Sequence, residues 1–470
     1  MATALVIGSG PAAAGAALAL AGDSTCKVTV VDIGGELESD LQSARHSLAT
    51  STEESWDGQK VDLISRQPVP SRRGVIPQKR AFGSDFPFRD FGQLAGVTAV
   101  ADANSSVISG AYGGFSNVWG AQIMPFSKAT FDRWPVSFGE MESHYKTALG
   151  EMGFAGEDDD LAELFPLIGD GAKLPKVAQR TEAVLRRYGE NRALVRSHGL
   201  TIGRARLAFG ADLCTCCGLC MTGCPYSLVY SASQTMDRLR REGRIEYRSG
   251  LIAYRIEEVD GIPAVHVRDL ASGKLERLAA DRVFVGCGGI GTTRLVLGSL
   301  DRFDSPVELQ ESVQFVMPTI SLAPCDDPRG QRNFTLNQFN VLYDHTGEGF
   351  DLCQIHFYDY NPAFLTSIPA SLKRKIAEPA LSALLRRTAV GLGYVPGWGS
   401  PRVKVKATKP SDSTSPAGVE VDRVGGAGWP PMLRSMVKAM TKTARALDLW
   451  PVVPMISVSA SAKSYAPRLQ

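Results

Sequence analysis

Two groups of side chains in this 470-residue chain have the type and spacing to do chemistry. The first is a run of thiols, Cys214, Cys216, Cys217, Cys220 and Cys224, the last followed by Pro225. With Cys216 set aside, the intervals are two, two and three residues and then proline, a spacing that lets thiolates wrap a short loop around one iron-sulfur cluster. Gly218 and Gly223 free the backbone to curl and turn amides towards sulfur. Which thiols would ligate a cubane or a three-iron cluster stays open. So do a tetrathiolate zinc site and unmetallated structural cysteines. The proline and the crowding favour iron, because zinc more commonly takes two paired hooks separated by a longer loop.

The second group is Gly8-Ser9-Gly10-Pro11-Ala12-Ala13, followed by Asp32. Gly8 permits a tight turn, Gly10 lets backbone approach a pyrophosphate at a helix N-terminus, and Ala13 is small enough for helix and strand to pack closely. Asp32 closes the next strand at the distance where a carboxylate accepts hydrogen bonds from ribose hydroxyls and disfavours a 2′-phosphate. Together these residues describe a dinucleotide site. They do not choose between FAD and NAD.

The elements that must position these residues follow from periodicity. Ala4-Leu5-Val6-Ile7 reads as a buried strand, the alanine-rich run to Ala21 as a helix, and Val28 to Val31 as a second strand. From Glu36 to Arg89 the pattern is polar and irregular; Pro68, Pro70 and Pro77 exclude long helices, and Arg72, Arg73, Lys79 and Arg80 suggest a surface excursion. Alternation from Ile245 to Val285, with Asp260-Gly261 and Ser272-Gly273, predicts a hairpin-rich antiparallel sheet. A further strand, Val283 to Val285, leads through glycines to a helix from about Thr292. Beyond Ser305 strands dominate, with a basic amphipathic helix over 372–387 and a last one carrying Leu433, Met436, Val437, Met440, Ala444 and Leu447.

Bulk properties exclude several classes. The 51 basic and 49 acidic side chains nearly cancel, so no broad field draws nucleic acid or anionic lipid. The apolar N-terminus lacks a basic leader and is broken by Gly8, Gly10 and Pro11, and no uncharged apolar run approaches the ~20 residues that cross a bilayer. Five clustered and four scattered cysteines form no disulfide framework, which fits a reducing cytoplasm.

The stretch Gly110-Ala-Tyr-Gly-Gly-Phe-Ser-Asn-Val-Trp-Gly-Ala-Gln122 resembles the flavin-contacting segment of the glucose-methanol-choline (GMC) oxidoreductases. Trp134-Pro-Val-Ser137, with the helix carrying His144 and Tyr145, is similar to the stretch that follows in that family. Val285-Gly-Cys-Gly-Gly-Ile-Gly-Thr-Thr-Arg-Leu295 resembles its return to the FAD domain. The likeness touches residues 4 to about 300 at four places in the right order. It implies FAD contacts at Gly113, Gly114, Ser116, Asn117, Val118, Ala253, Cys287 and Gly288, beside the N-terminal Gly8 to Ala13 and Asp32. It also implies oxidation of an alcohol, with sugars or polyols as the analogy, by hydride transfer to flavin. Some GMC dehydrogenases carry a cysteine-rich insertion with a cluster, which would pass electrons singly to an external acceptor.

One family feature is missing. The resemblance implies a proton-accepting histidine beyond the last helix, yet the six histidines, His46, His144, His198, His266, His345 and His356, all precede it. A truncated sequence is the expected reason. Of the histidines present, His356 is the catalytic candidate, because Gln354, His356, Tyr358 and Tyr360 share one strand face. The expected architecture is an α/β, Rossmann-like FAD-binding domain built from residues 1–50, 95–130, 200–305 and 435–470, and an α+β substrate domain with a mostly antiparallel sheet from 131–199 and 306–434. The cysteine loop spans 211–228. A non-catalytic flavoprotein or electron-transfer subunit is the rival reading, and an NAD-dependent reductase a third.

Overall fold

A computed structural model describes residues 1–67, 79–99, 108–303, 305–310, 312–350, 352–361, 378–400, 402–424 and 429–458. Its first layer is a parallel sheet in the order Arg282–Val285, Ala2–Ile7, Cys26–Val31, Ile245–Arg248. Ala4, Leu5, Val6 and Ile7 are all buried, as an uninterrupted apolar run requires when both faces of a strand are covered. The helix Pro11–Ala21 covers one face. Its inward residues Ala13, Ala14 and Ala17 keep it thin, and helix Ala232–Arg241 packs beside it through Met236 and Leu239.

The other face is covered by an antiparallel cap of strands Leu251–Val259, Ile262–Asp269 and Leu275–Ala279. Asp260 and Gly261 both take positive φ, 54° and 74°, the backbone of a tight hairpin. Leu5, Ile7 and Val31 of the sheet meet Leu251, Val265 and Val267 of the cap. The antiparallel sheet expected over Ile245 to Val285 is thereby corrected at both ends, since Ile245–Arg248 and Arg282–Val285 join the parallel sheet. Alternation reports which residues point inward but not which strand is the neighbour.

The large sheet is antiparallel: Trp450–Pro451, Val313–Ile320, Thr388–Val395, Leu352–Tyr358, Phe339–Asp344 and Leu200–Arg204, with Ser457–Val458 also on Val313–Ile320. One face is a dry core of Phe315, Met317, Val341, Ile355 and Phe357, against helices Gln179–Glu190 and Pro431–Leu447. Leu433, Met436, Met440, Ala444 and Leu447 are buried there. The last helix, expected within the 435–470 segment of the FAD-binding part, therefore sits on the large sheet, as does Leu200–Arg204 from the 200–305 segment. An apolar stripe states that a helix is covered, not by which layer.

A small sheet orders Val307–Gln310, Arg402–Thr408, Gly418–Val424 and Val97–Ala99. The stretch expected to be irregular from Glu36 contains helices Ser39–Ala49 and Gly58–Ser65, whose Leu41, Ala44, Leu48 and Ile64 form a local core. Lys79 and Arg80 are half-buried rather than on the surface. Pro68, Pro70, Arg72, Arg73 and Pro77 lie outside the described residues. Of the helix expected over 372–387, Glu378–Leu385 is described. No described helix is long and apolar enough to cross a membrane, and all nine cysteines are free.

Gly391 and Gly393 give up their side chains to the core: a Cβ on Gly391 would stand 2.5 Å from Ile355 Cγ2, and one on Gly393 2.0 Å from the Phe315 ring. Gly393→Ala is expected to cost about 2 kcal/mol or more by overpacking. Urea unfolding measures it, and an unchanged midpoint would contradict the packing of this face.

Candidate functional site

The site is built where the parallel strands end. Gly8, at φ +103°, donates its amide to the Val31 carbonyl at 2.8 Å, and Gly286 donates to Ile7 O at 2.8 Å. A Cβ on Gly8 would lie 2.7 Å from Gly286 O, and one on Gly286 would lie 2.6 Å from Ala13 Cβ. The glycines and Ala13 thus set a distance of approach that any larger residue would forbid. Gly10 is different. It caps the helix in an ordinary extended conformation (φ −69°, ψ 178°), and a Cβ there would meet no atom within 4 Å. It faces open space.

The segment from Gly110 is held over this turn. Gly35 donates to Gly110 O and Tyr112 to Gly35 O, each at 2.8 Å. The Gly113 amide donates to Ser9 Oγ at 2.9 Å, and a Cβ on Gly114 would lie 3.3 Å from Gly10 Cα. Ser116 and Asn117 shape the segment itself: Ser116 Oγ donates to Gly113 O at 2.6 Å and accepts from the Ala232 amide at 2.9 Å. Asn117 Nδ2 donates to Tyr112 O at 2.9 Å and Gly114 O at 2.7 Å.

A cavity of about 460 Å³ opens between the parallel sheet, the cap and the small sheet. That size falls in the range of small-molecule sites. Of the residues singled out from sequence, Gly8, Ser9, Gly10, Pro11, Ala12, Asp32, Gly114, Ala253, Cys287 and Gly288 line it. Ala13, Gly113, Ser116, Asn117 and Val118 are not among its lining residues. Ala13 packs beneath Gly286, Gly113 lies against Ser231 and Ser233, and Val118 is buried with Ala81 and Phe86. Sequence reading missed Gln93, Ile108, Tyr254, Leu309, Gln310, Val403, Pro416 and Ala417, which also line the walls. No local pattern marks them, because their elements meet only after folding.

The N-terminal turns of helices Pro11–Ala21 and Gly288–Ser299 both line the cavity; neither has a side-chain cap or an acidic residue in its first turn. The latter begins at Gly288, not near Thr292. Their unpaired amides and helix dipoles present partial positive charge to whatever enters. Arg294 adds a buried guanidinium, but it is tied to carbonyls: it donates to Gln93 O, to Ala417 O, and to Ala95 O at 2.6 Å. Burial draws its pKa down to about 10. Asp32, beside the first of these helix starts, accepts from Ser9 Oγ and from Tyr247 OH, the latter at 3.0 Å. Burial nevertheless pushes its carboxyl up to about 6, because these hydrogen bonds only partly replace lost water.

The cysteine loop lies apart from this cavity. The Cys216 amide donates to Cys214 Sγ and the Thr335 amide to Cys220 Sγ, both at 3.4 Å. Cys220 and Cys224 are buried, and burial pushes both thiols up, with Cys217 at about 11. Cys216 is drawn down to about 7 by its hydrogen bond with Cys214, aided by the Arg332 charge. Among the described residues no three His, Cys, Asp or Glu side chains come together as a metal ion requires. The arrangement does not fit the expected metal site as a ready-made cage.

No histidine lines the cavity. His46, His144 and His345 are exposed, His198 is half-buried, and His266 pairs with Glu257 at 3.0 Å. His356 is buried in the large sheet, with Nε2 3.1 Å from Gln354 Oε1, and burial pulls it down to about 3.

No family model and no curated protein matches this sequence. Among solved structures the chain is similar to pyridoxine 4-oxidase from Mesorbium loti, with TM-score 0.54 and 12% identity over 97% of this chain and 83% of that one. It is also similar to a formate oxidase, with TM-score 0.53 and 12% identity over 95% and 81%. The shared fold is the mixed α/β architecture with an antiparallel sheet expected from sequence.

The raised Asp32 pKa has a sign that can be measured. Between about pH 4 and 6 the folded chain holds a proton that the unfolded chain has lost, so stability falls as pH rises through this window. The difference amounts to roughly 3 kcal/mol at neutral pH. Asp32→Asn should flatten that part of the profile in urea unfolding of ligand-free protein. An unchanged slope would contradict the burial assigned to Asp32.

Proposed function

We propose that this chain is an FAD-dependent oxidoreductase of GMC type that oxidises a CH–OH donor, an alcohol of the sugar or polyol class, and passes electrons to an external acceptor. The observation that carries the reading is the cavity itself. Segments around Gly8, Gly114, Ala253 and Gly288, far apart in sequence, line one continuous space. A long ligand with a diphosphate in its middle suits a site with two uncapped helix N-termini. The resemblance over residues 110–122 and 285–295 supports flavin over nicotinamide, and the fold shared with two proteins named as oxidases agrees with it.

In this reading the amides around Gly10 to Ala12 hold the diphosphate, and Asp32 accepts from ribose hydroxyls. Ser9 and Tyr247 keep the carboxylate oriented while it waits. Gly114 and Phe115 lie along the ligand, and Ala253 and Cys287 close the wall. Bound FAD supplies a two-electron acceptor for hydride. Among the described residues the sulfurs from Cys214 to Cys224 form no ready-made cage. The absence of histidine from the cavity wall favours a second reading, a flavoprotein that relays electrons without oxidising an alcohol itself.

The two readings separate under anaerobic conditions. The enzyme's flavin band should bleach on adding its alcohol, whereas a relay would bleach only on photoreduction. Gly10→Val tests the site directly: a Cβ there meets no protein atom within 4 Å and the backbone is ordinary, so the unfolding free energy should stay within about 0.5 kcal/mol of the flavin-free parent. Yet the purified variant should be colourless. A Gly10→Val protein as yellow as the parent would place the flavin elsewhere.

A further inference from the structure

One tripeptide occurs at two strand starts. Ala95-Gly96-Val97 and Ala417-Gly418-Val419 are the same three residues, far apart in sequence. In the structure they lie side by side: Val97 opens the edge strand Val97–Ala99 and is in register with Val419 of its parallel neighbour Gly418–Val424. The Val419 amide donates to Gly96 O at 2.9 Å, and a Cβ on Gly96, at φ +69°, would stand 3.0 Å from Gly418 Cα. Glycine in both copies lets the two backbones close to this distance. A parallel pair has no hairpin to fix its register, and this edge strand is three residues long. Something else must hold it.

One side chain grips both copies. Arg294, on the helix Gly288–Ser299, donates from Nη2 to Ala95 O at 2.6 Å, from Nε to Ala417 O and from Nη1 to Gln93 O. Three nitrogens of one planar group meet three carbonyls, an arrangement that the single nitrogen of a lysine does not reproduce. Among the described residues Arg294 makes no ion pair, so these carbonyls and not a carboxylate hold it in place. Asp90, whose charge acts on it, accepts from the amides of Gly92 and Leu94 and steadies the turn before the first copy. The same helix fits the pair elsewhere. Gly298, one turn on, leaves room for Ala417, since a Cβ there would lie 2.8 Å from Ala417 Cβ. Ile290 packs with Val97, Val403 and Val419.

Gln93, Arg294, Pro416 and Ala417 all line the cavity, so the clamp and the wall are one structure. We propose that Arg294 is a positioning residue: it fastens the twin Ala-Gly-Val starts together and thereby holds this wall of the cavity closed on the bound cofactor. Its task is retention, not chemistry. With the clamp open, ligand leaves faster, while the amides at the Gly8 turn still receive it. The flavin in this statement rests on the proposed function; the clamp does not.

Flavin release from the loaded protein, followed by the fluorescence of freed FAD, reads the clamp. Arg294→Ala should raise the release rate by about tenfold or more, and Arg294→Lys, which keeps the charge, should raise it as well. Guanidinium ion well below denaturing concentration should slow release from Arg294→Ala, whereas ammonium ion should not. In hydrogen exchange the Val419 amide should lose protection by about tenfold or more in both variants, with Val30 of the parallel sheet unchanged. Gly298→Ala leaves Arg294 intact and pushes on Ala417; it should give the same two changes, and it serves if the arginine variants do not fold. An Arg294→Lys protein that holds flavin as the parent does would show that charge suffices and overturn the proposal. So would unchanged release beside lost protection, or protection lost equally at Val30 and Val419. A parent chain that takes up no flavin would instead sink the flavin reading, and exchange at Val419 would still decide the clamp.

Discussion

The site depends on how closely the first strand, the helix after it and the last parallel strand approach one another. Gly8, Gly286 and Ala13 meet at distances where one added carbon would collide with backbone. That contact brings two helix N-termini to one place and leaves their amides facing the same space. Bonds between Ser9 and Gly113, and between Gly35 and its partners Gly110 and Tyr112, then lay the third segment across the opening. The cavity is therefore a consequence of backbone geometry more than of side-chain chemistry.

Its electrostatics follow from the same arrangement. Uncapped helix starts and a carbonyl-bound arginine make the cavity receptive to negative charge, while Asp32 beside Ser9 is an acid whose pKa burial has raised. A ligand with ribose hydroxyls at one end and a diphosphate next to it would relieve both strains. The large sheet adds a different kind of surface, neutral and polar, and the segment that runs from Gly114 to Gln122 touches cavity and sheet in turn.

Much of this was legible in the sequence, and the reasons differ by element. The Gly8 turn, the thin alanine helix and Asp32 were readable because backbone approach and helix packing tolerate few residue types. The face carrying Gln354, His356 and Tyr358 was readable because a strand alternates. Ser116 and Asn117 spend side-chain hydrogen bonds within their own segment, since small polar side chains serve turns as readily as ligands. Pro416, Ala417 and Gln93 had no signal, for they join the wall through Arg294, whose three carbonyl partners lie on distant loops. The cysteine spacing predicts a metal site, yet spacing fixes only which thiols are near; where their sulfurs point depends on the loop around them.

One ligand spanning one cavity is the arrangement from which the proposed chemistry follows. Acid denaturation of the purified chain, followed by mass analysis of the released small molecules after incubation with FAD and NAD together, tests this most directly. FAD in amounts equal to protein is the predicted result. Release of NAD, or of no nucleotide from folded protein, would contradict it.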